Sequence, residues 1–316
     1  MVENLANIFG RWGYDLKCFH PELTIAGSPE RALKREILET STGELFVLEQ
    51  LPVAHREARL LQAQTLHYLA QHGVEGVHPW LADVSGEFGT MQDGFFWQLR
   101  RWIEGVSLPR DSYANDAWRG NASAEFLIAL KKASSLQEMP GMGGYTFTLM
   151  HYIGHLLEHF KRQIPVLVDD VKPMIAELQS YHEYEENLAG RGSFCHGDFH
   201  PGNIIWSDKG INGVIDWEFN GSKPAAYDMA NLLGCLGMDA PENLTNPYAM
   251  TFVKALRDAN FLTDEEWHFL PDQIAALRFG WLREWVARKD KAMITQELDF
   301  IWLILDNREL LRSKWK

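Results

Sequence analysis

Hydrophobic and polar positions alternate with a short period in the first hundred residues and with a helical period beyond them. Leu23 to Gly27 (LTIAG) reads as a strand interrupted by Ser28-Pro29. The stretch ALKREILETSTGELFVLEQLP holds two strand-like runs around Ser41-Thr42-Gly43, a hairpin whose second strand ends at Pro52. HREARLLQAQTLHYLAQHG then spaces Leu60, Leu61, Leu66, Leu69 and Ala70 as on a helix and stops at Gly73, a C-terminal cap. WLADVSGEFGTMQDGFFWQLRRWIEG adds a second strand pair with glycine-containing turns. The order strand, strand, strand, helix, strand, strand predicts one antiparallel sheet braced by a helix and closed near Glu104-Gly105.

From about Asn121 the apolar positions recur at helical spacing. Segments 121–138, 148–163 and 169–188 are expected to be amphipathic helices, 193–216 a strand–loop–strand passage, and the chain from Tyr227 onward helical again. Leu277, Trp281 and Trp285 share one helix face, as do Leu298, Ile301, Trp302 and Leu305; both stripes read as core packing. No internal repeat or low-complexity tract is present. The expected class is α+β and bilobal, with a small antiparallel β lobe carrying one bracing helix and a larger, mainly helical lobe.

Composition narrows the partners. The 316 residues are 46% hydrophobic and 23% charged, ordinary globular usage that excludes wholesale disorder. With 30 Lys+Arg against 43 Asp+Glu the formal charge is -13, so the surface repels phosphate backbones and no nucleic acid is expected as a partner. Cys18, Cys195 and Cys235 have no paired spacing and are expected to be reduced thiols of a cytoplasmic protein. MVENLANIFGRWG lacks a basic region followed by an apolar stretch, and the apolar run Phe300 to Leu305 is far too short for a bilayer, so no membrane association is expected.

The segment from Phe194 to Trp206, FCHGDFHPGNIIW, continuing to Val214-Ile215-Asp216-Trp217-Glu218, carries the chemistry. Asp198 and Asn203 sit on a Gly/Pro-rich loop, and Asp216 ends an apolar hairpin whose turn residues, Ser207 to Gly210 and Asn212-Gly213, fold it back beside Asn203. Two carboxylates and an amide oxygen are hard ligands that suit Mg²⁺ shared with phosphates. A zinc site from Cys195, His196 and His200 is the competing arrangement. It needs a helix for the i, i+4 histidines, and Gly197, Pro201 and Gly202 oppose one.

This segment resembles the catalytic core of the aminoglycoside phosphotransferase and choline kinase group, relatives of the protein kinases. Against H-R-D-x-x-x-x-N and D-F-G, the chain reads His196-Gly197-Asp198-x-x-x-x-Asn203 and Asp216-Trp217-Glu218. The resemblance implies a protein-kinase-like fold, with a nucleotide-binding lobe over 1–103, a hinge near 99–105 and an acceptor-binding lobe over 104–316. It implies ATP and Mg²⁺ as cofactors and transfer of the γ-phosphoryl group to a hydroxyl of a small molecule. Asp198 would orient the hydroxyl and accept its proton, while Asn203 and Asp216 would hold Mg²⁺ on the phosphates. His196 would brace the loop, and Asp228 would order it through backbone hydrogen bonds or cap the helix starting near Met229.

One element departs from the group. Its third-strand lysine is replaced by Glu49 in Leu45-Phe46-Val47-Leu48-Glu49-Gln50, and Glu57 at the helix start would face Glu49 and repel it. Another cation is then expected at the phosphates: Arg31, or Lys34 or Arg35, which point to opposite sheet faces. Gly27-Ser28 stands for the nucleotide loop, and adenine is expected near backbone groups of Arg101 and Ile103. Glu183, Glu185, Glu186, Trp281, Trp285, Arg278 and Arg283 are acceptor-pocket candidates. The group includes kinases of choline, ethanolamine, homoserine, methylthioribose, hexosamines and aminoglycosides, among which the sequence does not choose. Glu49 keeps open an alternative, a nucleotide-binding pseudokinase with little or no transfer activity.

Overall fold

A computed structural model of the chain describes residues 2–27, 32–135, 139–140, 147–188 and 192–316. In chain order the first elements are α1 (Val2–Phe9), β1 (Leu16–Phe19), β2 (Lys34–Thr40), β3 (Leu45–Leu51), α2 (Arg56–Gln71), β4 (Thr90–Gln92) and β5 (Phe95–Arg101). Next come α3 (Ala117–Ser134), α4 (Leu149–Gln163), α5 (Pro165–Glu177), α6 (Gln179–Asn187), β6 (Ser193–Cys195), β7 (Ile204–Trp206), β8 (Ile211–Val214) and β9 (Gly221–Lys223). The chain closes with α7 (Tyr227–Asp239), α8 (Pro247–Asp258), α9 (Asp264–Arg288), α10 (Lys291–Asp306) and α11 (Arg308–Lys314).

Two compact units result. The first is Met1–Ser107 together with Lys132–Gly141 and Gly202–Phe219; the second is Leu108–Lys131, Met142–Pro201 and Asn220–Lys316. An expected single cut near residue 103 therefore meets a first unit that also takes in the β7–β8 hairpin. The reason is local bonding. Val106 bridges Trp206, Asn212 Nδ2 donates to Glu104 O at 2.9 Å, and Val214 N donates to Gly76 O at 2.8 Å.

The first unit is built on a five-stranded antiparallel sheet in the order β1-β2-β3-β5-β4. Alternation gives the sheet two different faces. Leu38, Phe46, Leu48, Trp97 and Leu99 point one way and bury against Leu5, Ile8, Phe9 and Trp12 at the amino-terminal end of the chain. Each such side chain contributes about 1.5–3 kcal/mol of burial, which explains why α1 docks although its eight residues make a marginal helix alone.

The opposite face carries Arg35, Ile37 and Glu39 on β2, Val47 and Glu49 on β3, and Gln98 and Arg100 on β5, by register. Helix α2 differs from its expected apolar stripe. Leu61 is 45% exposed, while Arg59, Gln62 and Thr65 are buried with Leu66 and Leu69. Arg59, Gln62 and Leu66 of the helix line one cavity with Arg35, Glu49 and Arg100 of this sheet face.

Leu23 to Gly27 joins no sheet among the described residues, and the outer strand is β1 instead. The strand count expected from the pattern is right; the identity of the first strand is not. Its alternation is broken by a register shift between Leu16 and Cys18, so period-two counting passes over it. Segment 169–188 divides into α5 and α6 around Leu178.

The second unit is mainly helical, with the short antiparallel pair β6–β9. Antiparallel α9 and α10 enclose a buried ion pair, Arg278 with Glu297, to which Trp285 Nε1 also donates at 2.9 Å.

Candidate active site

Asp216 has a left-handed backbone, φ 64°, an arrangement that costs a non-glycine residue about 1–2 kcal/mol and persists where surrounding bonds enforce it. Those bonds are present. Strands β7 and β8 pair Ile204 with Val214 and Ile205 with Gly213, and Ile215 N donates to Asn203 O at 3.0 Å. Asn203 is thereby one residue from Asp216 across the end of the hairpin. Trp217 Nε1 donates to Val214 O at 2.8 Å and closes the turn behind it.

Gly27 stands directly against Asp216. Its φ is +94°, and a Cβ there would lie 2.7 Å from Asp216 Oδ1, so only glycine fits. Ser28 and Arg31 lie outside the described residues. Arg35 holds the loop from β2, its guanidinium donating to Ala26 O and Gly27 O at 3.4 Å each.

A cavity in the first unit is lined by Asp216, Glu49 and Glu218 against Arg35, Arg59 and Arg100. Its apolar rim includes Leu66, Trp80, Ile103 and Ile215. Three guanidiniums meet three carboxylates in a chain whose formal charge is -13, so the cavity is far less acidic than the chain as a whole. Arg59 Nη2 donates to Glu218 Oε1 at 2.7 Å. Arg100 approaches Glu49 only to 3.9 Å, and burial draws its pKa down while Glu49 holds it up.

Sequence reasoning missed Arg59 and Arg100. Arg59 is two positions past Glu57 on α2, and Glu57 itself is exposed, so the expected repulsion between Glu49 and Glu57 does not arise. Arg100 shares the sheet face of Glu49 by the register of β3 with β5, a cross-strand pairing that the pattern of either strand does not fix. Arg101, the neighbour expected near adenine, lies on the opposite face. Its guanidinium donates to Glu44 at 2.6 Å over the Phe46 ring, while Ile103 does line the cavity. Lys34 also leaves the cavity face and pairs with Glu36 at 2.7 Å.

In the second unit, the Asp198 loop is pinned at successive residues. Asp228 is 3% exposed and accepts from His196 N at 2.6 Å and Gly197 N at 2.8 Å. Burial pushes its pKa up to about 6, against the two N–H donors that pull it down. Gly197 turns the chain at φ 87°. The fully buried His196 ring accepts Asp198 N on Nδ1 at 3.1 Å, which places its proton on Nε2. Phe199 is buried and stacks on Phe126 with ring centroids 5.5 Å apart.

Asp198 itself is addressed by Asn231 of α7, whose Nδ2 lies 3.5 Å from Oδ1 and 3.4 Å from Phe199 O. His200 Nε2 is 3.8 Å from the same oxygen. Asn231 was not anticipated. It falls three residues after Asp228, hence on the same helix face, and that spacing was the available signal.

Of the other acceptor-pocket candidates, Trp281 lies edge-on to His200 with ring centroids 6.0 Å apart, and four more are held by partners within the fold. Glu185 is 1% exposed and caps α4, accepting from Leu149 N at 2.7 Å and Met150 N at 2.9 Å. Glu183 pairs with Gln179, Glu186 with His182, and Arg278 with Glu297. Cys195, His196 and His200 form no metal-ligating group among the described residues, because the loop, as its glycines and proline require, is not a helix.

The sequence profile of the phosphotransferase enzyme family matches residues 35–272, three quarters of the chain. The chain belongs to that family. The chain is 32% identical over 114 residues to homoserine kinase of Granulibacter bethesdensis, covering 34% of this chain and 35% of the relative. It is 29% identical over 143 residues to homoserine kinase of Gluconacetobacter diazotrophicus, covering 43% of this chain and 44% of the relative. The match thus spans between a third and a half of the length of these curated relatives.

Among solved structures, an aminoglycoside phosphotransferase of Alicyclobacillus acidocaldarius superposes with a TM-score of 0.66 at 15% identity, over 98% of this chain and 94% of the other. An amicoumacin kinase in complex with AMP-PNP, Ca²⁺ and Ami gives 0.63 at 18% identity, over 92% and 90%. The chain therefore has the α+β, protein-kinase-like fold. Among the described residues, no helix is long and apolar enough to cross a membrane.

Proposed function

We infer that this phosphotransferase moves the γ-phosphoryl group of ATP to a hydroxyl of a small molecule. Asp198 orients the hydroxyl and takes its proton as the new O–P bond forms; the bond from the γ-phosphorus to the bridging oxygen breaks, and ADP leaves. Asn203 and Asp216, an amide oxygen and a carboxylate, are hard donors that fit Mg²⁺ and would hold it. When bound, Mg²⁺ neutralises phosphate charge that develops during transfer.

The observation that carries this reading is the position of Asp216: a strained carboxylate, pressed against Gly27, opening on a cavity with three arginines. Arg35, Arg59 and Arg100 do the work of the family's absent strand lysine. Arg31 stays a further candidate. The homoserine kinase relatives favour a small amino-acid-like alcohol as acceptor, with aminoglycosides as the competing class.

The test is incubation with ATP and Mg²⁺ and a panel of hydroxyl compounds that includes homoserine, amino alcohols, sugars and aminoglycosides, followed by mass spectrometry. One compound is expected to gain a phosphate, and Asp198→Asn to lower the rate by about 10²–10⁴. Full activity in Asp198→Asn removes Asp198 from its role. A second reading, a nucleotide-binding module without transfer, is favoured by Glu49 alone; Mg²⁺-dependent ATP binding with no phosphorylated product across the panel selects it.

A further inference from the structure

Outside the lining of the cavity, the outer strand β1 carries a cluster to which the proposed phosphoryl transfer gives no role. Adjacent strand residues normally point to opposite faces, yet the register shift at Lys17 turns both Lys17 and Cys18 onto Glu39 of β2. Lys17 Nζ donates to Glu39 Oε1 at 2.7 Å, and Cys18 Sγ lies 3.1 Å from Oε2. His20 follows two residues on, held by its backbone N to Ile37 O, and brings Nε2 to 2.8 Å from the same Oε2 and 3.7 Å from Cys18 Sγ. The three ligand-type atoms lie within 4.8 Å of one another.

We propose that Cys18 Sγ, His20 Nε2 and Glu39 Oε2 form a Zn²⁺ site that clasps the edge strand β1 to β2, with the fourth position open to water. The donor set decides the metal. A thiolate, an imidazole and a carboxylate suit Zn²⁺ and disfavour Mg²⁺, which asks for oxygen ligands. The spacing also fits. With bonds of about 2.3 Å to sulfur and about 2.0 Å to nitrogen and oxygen, a tetrahedral ion needs ligand atoms roughly 3.3–3.6 Å apart. The observed 3.7, 3.1 and 2.8 Å reach that range by side-chain shifts of about half an ångström, without backbone movement.

A separate contact supports the assignment. The other ring nitrogen, His20 Nδ1, meets Glu22 Oε1 at 2.6 Å, the outer carboxylate that fixes tautomer and orientation in zinc-bound histidines. Lys17 on Oε1 does the same for Glu39, leaving Oε2 to the ion. All three ligands are half-buried, so the ion has an entry path from solvent.

The experiment uses the full chain, stripped with chelator and titrated with Zn²⁺ against a competing indicator, with Co²⁺ as a spectroscopic probe in parallel. One Zn²⁺ per chain is expected, with Kd of about 1 µM or tighter, and a thiolate-to-Co²⁺ charge-transfer band. Cys18→Ser and His20→Gln should each weaken binding by more than roughly tenfold, and Glu22→Gln by roughly tenfold with the same stoichiometry. Circular dichroism of the metal-free variants checks their fold; should one fail, the Co²⁺ band of the unaltered chain decides by itself. A weaker Kd in the unaltered chain, no thiolate band, or a folded Cys18→Ser that binds within tenfold overturns the site.

Discussion

Asp228, buried in the second unit, and Arg100, half-buried in the first, are single charges whose roles can be tested residue by residue. Asp228 titrates near 6 because burial penalises its ionised form more than two N–H donors favour it. A carboxylate with a raised folded pKa favours the folded state below its ordinary value of 3.8, and that advantage is lost as pH rises through about 6. Asp228→Asn does not titrate. The unaltered chain should therefore lose on the order of 3 kcal/mol relative to the variant between pH 4 and 7, measured as paired urea midpoints; a difference independent of pH refutes the assignment. Arg100→Gln should raise the KM for ATP by about 10–100-fold, the worth of a charge-assisted bond to phosphate. Arg101→Gln next to it, paired with exposed Glu44 on the other sheet face, should leave KM unchanged. Equal effects from the two would remove the arginine cavity from nucleotide binding.

At the scale of elements, buried polar contacts decide where helices dock. Glu185 of α6 holds the first turn of α4, and the buried pair Arg278 with Glu297 joins α9 to α10. Removing one partner strands the other charge out of water. Glu297→Leu should destabilise the fold by about 3–5 kcal/mol, whereas Arg278→Met with Glu297→Leu should recover most of that loss. Urea unfolding of the single and double variants measures it, and a double variant no more stable than the single one would show that the pair has a further role. Several elements are legible in the residue pattern itself: the β2–β3 hairpin around Ser41-Thr42-Gly43, α2 up to Gly73, and the helical second half. Strand β1 is not, because its register shift spoils alternation, and neither is α1, whose eight residues depend on the sheet they cover.

For the whole molecule, continuity along the chain and continuity in space part company. Strands β7 and β8 come a hundred residues after β5, yet bond to the segment just beyond it through Glu104 and Val106, and to Gly76 ahead of it. A fragment of residues 1–107 lacks that hairpin and leaves Arg59 without Glu218. It should unfold without a cooperative transition, while the same fragment supplied in one chain with 202–219 regains one, as followed by thermal circular dichroism. A cooperative 1–107 fragment would mean that the hairpin is dispensable to the unit.

The order of residue types alone determined the class of fold, the helical second half and the motif Asp198, Asn203, Asp216, because period, turn chemistry and short spacings are local properties. Tertiary structure settled which cations line the cavity with Asp216: Arg35 was among those expected, and Arg59 and Arg100 joined it. Arg35, Arg59 and Arg100 come from β2, α2 and β5, and only strand register and helix docking turn them to one face. The same holds for Asn231 beside Asp198 and for Cys18, His20 and Glu39. Long-range electrostatics depends on distance through space, which no local pattern encodes.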